Sequence, residues 1–118
     1  MILDLHDLWS WVVVIGNGVA GLWCIGAHWW PPLRVRGLWA AVVVVQATIF
    51  VQVALGVYVV AVEGIDAPGM HMFYGFISLI AVAILYAYRT QVRAWQYLLY
   101  GFGGLFLMGL GIRAMSLA

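Results

Sequence analysis

Two histidines carry most of the chemical potential of this sequence. His71 is flanked by Met70 and Met72 and follows the run Glu63-Gly64-Ile65-Asp66-Ala67-Pro68-Gly69, while His6 lies between Asp4 and Asp7. An imidazole at a membrane boundary can ligate haem iron or a transition metal, and it can titrate near neutral pH. Met70, His71 and Met72 place two thioethers beside an imidazole, a set that suits Cu(I), although methionine in an apolar helix usually fills space. The bland alternative for His71 is an interfacial side chain hydrogen-bonded to Glu63 or Asp66. His28, beside Trp29 and Trp30, belongs to another part of the chain. Cys24 is the only cysteine, so neither a disulfide nor a CxxC site is available. No nucleophile, base and orienting group lie together, and no catalytic residue is assigned.

The elements that must position these side chains are apolar helices. The 118 residues are 67% hydrophobic and 8% charged, against roughly 45–50% and ~25% in soluble domains. A chain this small could not bury so many Leu, Val, Trp and Phe side chains in water. The expected partner is therefore the lipid bilayer. A net charge of +1, with no lysine, supplies no basic field for nucleic acid.

Proline, glycine and charge divide the chain into four apolar segments, about 8–30, 37–62, 70–88 and 94–115. Each has the roughly 17–25 residues that cross a ~30 Å hydrocarbon core. Pro31-Pro32 stops the first, Glu63–Gly69 forms the loop into the third, and Arg89-Thr90-Gln91-Val92-Arg93 makes the last turn. The N-terminal MILDLHDL carries acids where a secretory signal carries Lys or Arg, so the first helix is expected to remain in the mature protein. Short connections predict that consecutive helices are antiparallel neighbours. The expected fold is one all-α domain: a polytopic integral membrane protein with four transmembrane helices in an up-down antiparallel bundle.

Arginine sets the expected orientation. Arg34, Arg36, Arg89 and Arg93 fall in the first and third loops, which the positive-inside rule assigns to the cytoplasm. Asp4, Asp7, Glu63, Asp66 and Arg113 fall on the opposite side, so both termini are expected outside. Aromatic belts agree, with Trp29, Trp30, Trp39, Tyr88 and Trp95 at the inner boundary and Trp9, Trp11, Tyr58 and Tyr74 at the outer. The expected location is a bacterial cytoplasmic membrane, crossed several times.

Polar side chains at bilayer depth should face protein or water. Thr48, Gln52, Gly56 and Glu63 share one helical face, and Asn17 and Gln52 are expected at similar depth, close enough to hydrogen-bond. They read first as an interhelical clamp and second as the lining of a transport path. Gly101, Gly104, Met108 and Gly111 share a face of the fourth helix, and Gly16, Gly18, Ala20 and Gly21 thin the first. Such glycines permit close helix packing, and could equally admit a flat cofactor or a partner subunit. His6, His71, Asp4, Asp7, Glu63, Asp66 and Arg113 converge on the outer surface. There Arg113 can pair with Glu63 or Asp66, and His6 and His71 can form a bis-histidine site.

The segment Gln52–Tyr74, QVALGVYVVAVEGIDAPGMHMFY, resembles haem A synthase and related haem-handling membrane proteins. In those, a helix bearing Gln and Gly leads through an outer loop to a helix with histidine, within a four-helix half of about this size. The resemblance rests on Gln52, Gly56, Pro68 and His71 and implies a haem b site using His71. Those halves carry the second histidine on another helix, and here only His6 can take that part. The leading expectation is a non-catalytic accessory or scaffolding subunit of a bacterial membrane complex, such as a respiratory one. The alternatives are a b-type haem or redox-cofactor protein using His71 and His6, and a homo-oligomeric pore or carrier.

Overall fold

The computed structural model describes residues 2–118. Four helices follow in order: α1 (Ile2–Trp29), α2 (Arg36–Ala61), α3 (Gly69–Tyr88) and α4 (Gln96–Ser116), with short 3₁₀ turns at Pro31–Leu33 and Arg93–Trp95. All four are long and apolar enough to cross a membrane. They pack antiparallel along a body 48 Å long. Large apolar side chains such as Leu22, Val43, Phe50, Ile80, Phe102 and Phe106 point outward and are exposed, as expected of helices solvated by lipid.

Helix α1 starts at Ile2 rather than near Leu8. No glycine or proline interrupts MILDLHDL, and Asp4 lies in the first turn, where a carboxylate meets the positive end of the helix dipole. The acids that suggest an exposed lead-in are thus compatible with two further turns of helix, and His6 lies inside α1. At the other end, Pro31 forces Trp30 into extended backbone. Arg34 then reaches back, its Nε donating to Ala27 O and its Nη2 to His28 O, each at 2.6 Å. Two terminal carbonyls of α1 are satisfied in this way. The same guanidinium lies 5.1 Å from the centre of the Tyr97 ring, joining the first loop to α4.

The order of packing differs from the order in sequence. Helices α1 and α4 form the central pair, with α2 against α1 and α3 against α4; α2 and α3 meet only sparsely. Consecutive α2 and α3 are therefore not packed neighbours as their short connection suggests. Residues 62–68 can span up to roughly 23 Å when extended, so the loop does not force contact. Gly64 makes the departure from α2 with φ +70, a backbone region that favours glycine, and Ile65 N–H folds back to Val59 O at 3.2 Å.

Glycine explains the central pair. A Cβ on Gly21 would stand 2.8 Å from Gly101 O, and one on Gly104 would stand 2.9 Å from Asn17 O. Gly18 makes room for Met108 Sδ, and Gly111 for Val14. The small-residue faces of α1 and α4 are thus used on each other, as close helix packing in lipid requires. Cys24, Ala27 and Leu38 form a fully buried cluster toward the arginine-rich end. Val13, Ile49, Val82, Leu85, Leu107 and Leu110 form the larger cluster between all four helices.

Replacing Gly21 or Gly104 with valine forces α1 and α4 apart. The expected cost is at least ~1–3 kcal/mol, read as earlier unfolding in detergent, whereas Gly109→Val, where nothing lies within 4 Å, should leave stability nearly unchanged.

Candidate functional site

The end of the bundle away from the four arginines carries a polar clasp between α1 and α2. His6 Nδ1 donates to Gln52 O at 3.2 Å, and Gln52 Nε2 donates to His6 O at 2.8 Å. Gly56, one turn along α2, leaves room for the imidazole: a Cβ there would lie 3.1 Å from His6 Cε1. The clasp continues inward through Trp9 Nε1, which donates to Thr48 O at 2.9 Å. Asn17 Nδ2 donates to Val13 O at 2.9 Å and to Val45 O at 3.3 Å, and Thr48 Oγ1 donates to Val45 O.

Asn17 and Gln52 do not bond to each other. Because α1 begins at Ile2, Asn17 lies about six residues deeper than Gln52, roughly 9 Å at 1.5 Å per residue. Gln52 instead donates to the backbone of α1, and Asn17 donates both to Val13 O of its own helix and to Val45 O of α2. Both keep a buried carbonyl oxygen, Asn17 Oδ1 and Gln52 Oε1, without a protein partner. Glu63 falls in the loop beyond α2, so the shared face stops at Gly56.

His71 is held from the other half of the bundle. Its Nδ1 donates to Ala114 O at 2.7 Å, a carbonyl in the last turn of α4 that also accepts Leu117 N–H at 3.2 Å. This bond, rather than one to Glu63 or Asp66, fixes the ring. It also ties α3 to α4 at the corner for which Arg113 offers itself in the sequence; Arg113, Glu63 and Asp66 are exposed. The His6 and His71 rings lie 5.9 Å apart, centre to centre, at 75°.

A carbonyl oxygen only accepts, so both bonds place the proton on Nδ1 and leave Nε2 of each neutral ring as a free lone pair. Donation from the second ring nitrogen to a carbonyl is the arrangement that orients histidine ligands and raises their basicity. A metal–nitrogen bond of about 2 Å on each side, with about 1 Å from nitrogen to ring centre, puts two ligating imidazoles roughly 6 Å apart. The 5.9 Å between the His6 and His71 ring centres is of that size.

Both rings line a half-enclosed cavity of about 760 Å³ between α2 and α3, roofed by Ile65–Pro68. Its volume lies within the ~300–1,000 Å³ of typical ligand sites. Asp7 and Asp66 stand on the lining with the two histidines and Gln52, and no arginine does so among the described residues. Met72 also lines it, whereas Met70 is 53% exposed and is not on the lining, so the Met70-His71-Met72 triplet is not gathered around this space. His28 is at the opposite end, stacked on Trp95 at 5.4 Å.

Ala114 and Gly75 escape sequence reading. A backbone carbonyl has no side-chain signature, and a glycine facing a cavity resembles one facing a helix. Comparison with protein-family models, curated proteins and solved structures finds no match to this chain. The site is therefore read on its own geometry.

Gln52→Ala removes the donor to His6 O and opens the clasp. It should cost about 0.6–2 kcal/mol, measured by reversible unfolding in bicelles. Ser10→Ala, whose exposed hydroxyl donates only to Asp7 O within its own helix, is the control expected to show little change.

Proposed function

We propose that this chain is a multi-pass membrane protein that carries a b-type haem between His6 and His71 and serves as an electron-carrying subunit of a membrane complex. One observation carries the reading: two imidazoles from separate halves of the bundle, each anchored through Nδ1 to a backbone carbonyl, stand 5.9 Å apart beside a ligand-sized cavity. The donor set suits iron in a porphyrin, which needs only two axial ligands from protein. It suits a bare ion less well, because no cluster of three His, Cys, Asp or Glu side chains is present among the described residues.

When bound, such a haem would supply one-electron transfer, and His6 and His71 would hold it. The chain's residues do the rest. Gln52 O and Ala114 O hold the two rings in orientation and favour a basic Nε2. Asp7 and Asp66, both exposed, favour positive charge at the mouth of the cavity. Apolar residues of α2 and α3, among them Val53, Val57 and Phe76, would limit water on that side of the group.

Arg34, Arg36, Arg89 and Arg93 support an orientation with their end in the cytoplasm. The histidine end, with both termini, then faces outside. A chain with one redox centre and no substrate-processing groups needs protein partners to give and take electrons, which unites the accessory-subunit and haem readings. The polar side chains that a pore would use, Asn17, Thr48 and Gln52, spend their donors on backbone carbonyls.

Protein purified in mild detergent and titrated with haemin should give a Soret band and a low-spin bis-imidazole spectrum. Haemin at 100 times Kd should stabilise the fold by about 2.7 kcal/mol. His6→Ala and His71→Ala should each abolish the low-spin spectrum. Absence of both the band and the stabilisation in the parent protein would overturn the proposal.

A further inference from the structure

Glycine is a poor helix former, and in most of this bundle its presence has a visible cause. A Cβ at Gly18, Gly21, Gly101 or Gly104 would meet a neighbouring helix within 2.5–2.9 Å. Gly75 is different. It lies inside α3, away from either end, and is partly buried, yet a Cβ there would meet nothing within 4 Å. The space in front of it is the cavity, which Gly75 lines together with His71. The two are spaced i, i+4, so Gly75 sits one turn along the same helical face. Helix packing does not call for the missing side chain at this position.

We infer that Gly75 is the specificity-determining residue of the site: it admits a flat, ring-shaped metal chelate that lies face-on against the α3 backbone beside His71. The inference rests on the bis-imidazole reading and deepens it by fixing the ligand's shape. An ion held only between His6 and His71 occupies the few ångströms between the rings and has no use for open space a turn away. A planar macrocycle extends several ångströms sideways from its metal in every direction, and a side chain at position 75 would project into it. Gly56 on the facing helix does not duplicate this role, because its missing Cβ is accounted for by the His6 ring.

Haemin and CuCl2 serve as probes of the parent protein and of Gly75→Ala, Gly75→Val and Gly75→Leu, with Gly109→Leu as a control. Gly109 is an exposed α4 glycine that also has nothing within 4 Å of a Cβ, but it does not line the cavity. Haemin affinity should fall in steps from Gly75→Ala to Gly75→Leu, by at least tenfold in Gly75→Leu, and stay unchanged in Gly109→Leu. Cu(II) binding, read by its paramagnetic resonance and abolished by His71→Ala, should be the same in every Gly75 variant that folds. If Gly75→Leu proves unstable, the Gly75→Val step alone decides.

Haemin affinity undiminished in Gly75→Val and Gly75→Leu would overturn this inference and leave the haem reading standing. A parent protein that binds Cu(II) through His71 but not haemin would overturn both, making the site one for a bare ion. Equal losses of haemin and Cu(II) binding in the Gly75 variants would also overturn it, because the substitution would then be acting through the histidines.

Discussion

Backbone meets backbone where α1 crosses α4. A Cβ at Gly21, Gly104 or Gly101 would stand 2.8, 2.9 or 3.0 Å from backbone atoms of the facing helix. In lipid, where apolar side chains gain little by leaving hydrocarbon for each other, such intimate contact is a principal source of association. Its geometric consequence reaches well beyond the crossing. Two helices this close leave no room for a symmetric square of four, so α2 and α3 are carried to the flanks, each packed mainly on its own partner. Between them stays an opening, and at the end away from the arginines that opening is the cavity.

The two halves of the bundle each contribute one imidazole to that cavity, and each imidazole is fixed within its own half. His6 is held by α2 through Gln52, and His71 by α4 through Ala114. The rings are thus oriented before any ligand arrives. Preorganisation of this kind lowers the ordering cost of binding, and Nδ1 donation leaves the same nitrogen free on both rings. Among the described residues the cavity lining carries the carboxylates of Asp7 and Asp66 and no arginine, and the arginine-rich loops are at the far end.

Much of this was legible in the sequence. Four runs of apolar residues of membrane-crossing length, broken by Pro31-Pro32, the Glu63–Gly69 loop and the Arg89–Arg93 turn, correspond to the four helices of the structure. The glycine faces of α1 and α4 were legible because small residues recur at helical spacing. The pairing of those two faces with each other was not, since nothing in one glycine-lined face names its partner. The start of α1 was hidden by Asp4 and Asp7, which suggest an exposed lead-in but equally suit a helix N-terminus. That one difference in boundary moved Asn17 past Gln52 and replaced a side-chain pair with two separate clasps. The proximity of His6 and His71 followed from topology alone. Their anchors did not, because the partners are backbone carbonyls, and Ala114 carries no chemical label.

The central claim is that His6 and His71 together bind one metal. Haem-loaded protein with nitrogen-15 only in its histidines tests it most directly, by electron–nuclear coupling at the ferric iron. The account predicts two axial histidine nitrogens on a single low-spin iron, with one lost in His6→Ala and one in His71→Ala. A single coupled histidine nitrogen, or a pair that survives either substitution, would contradict it.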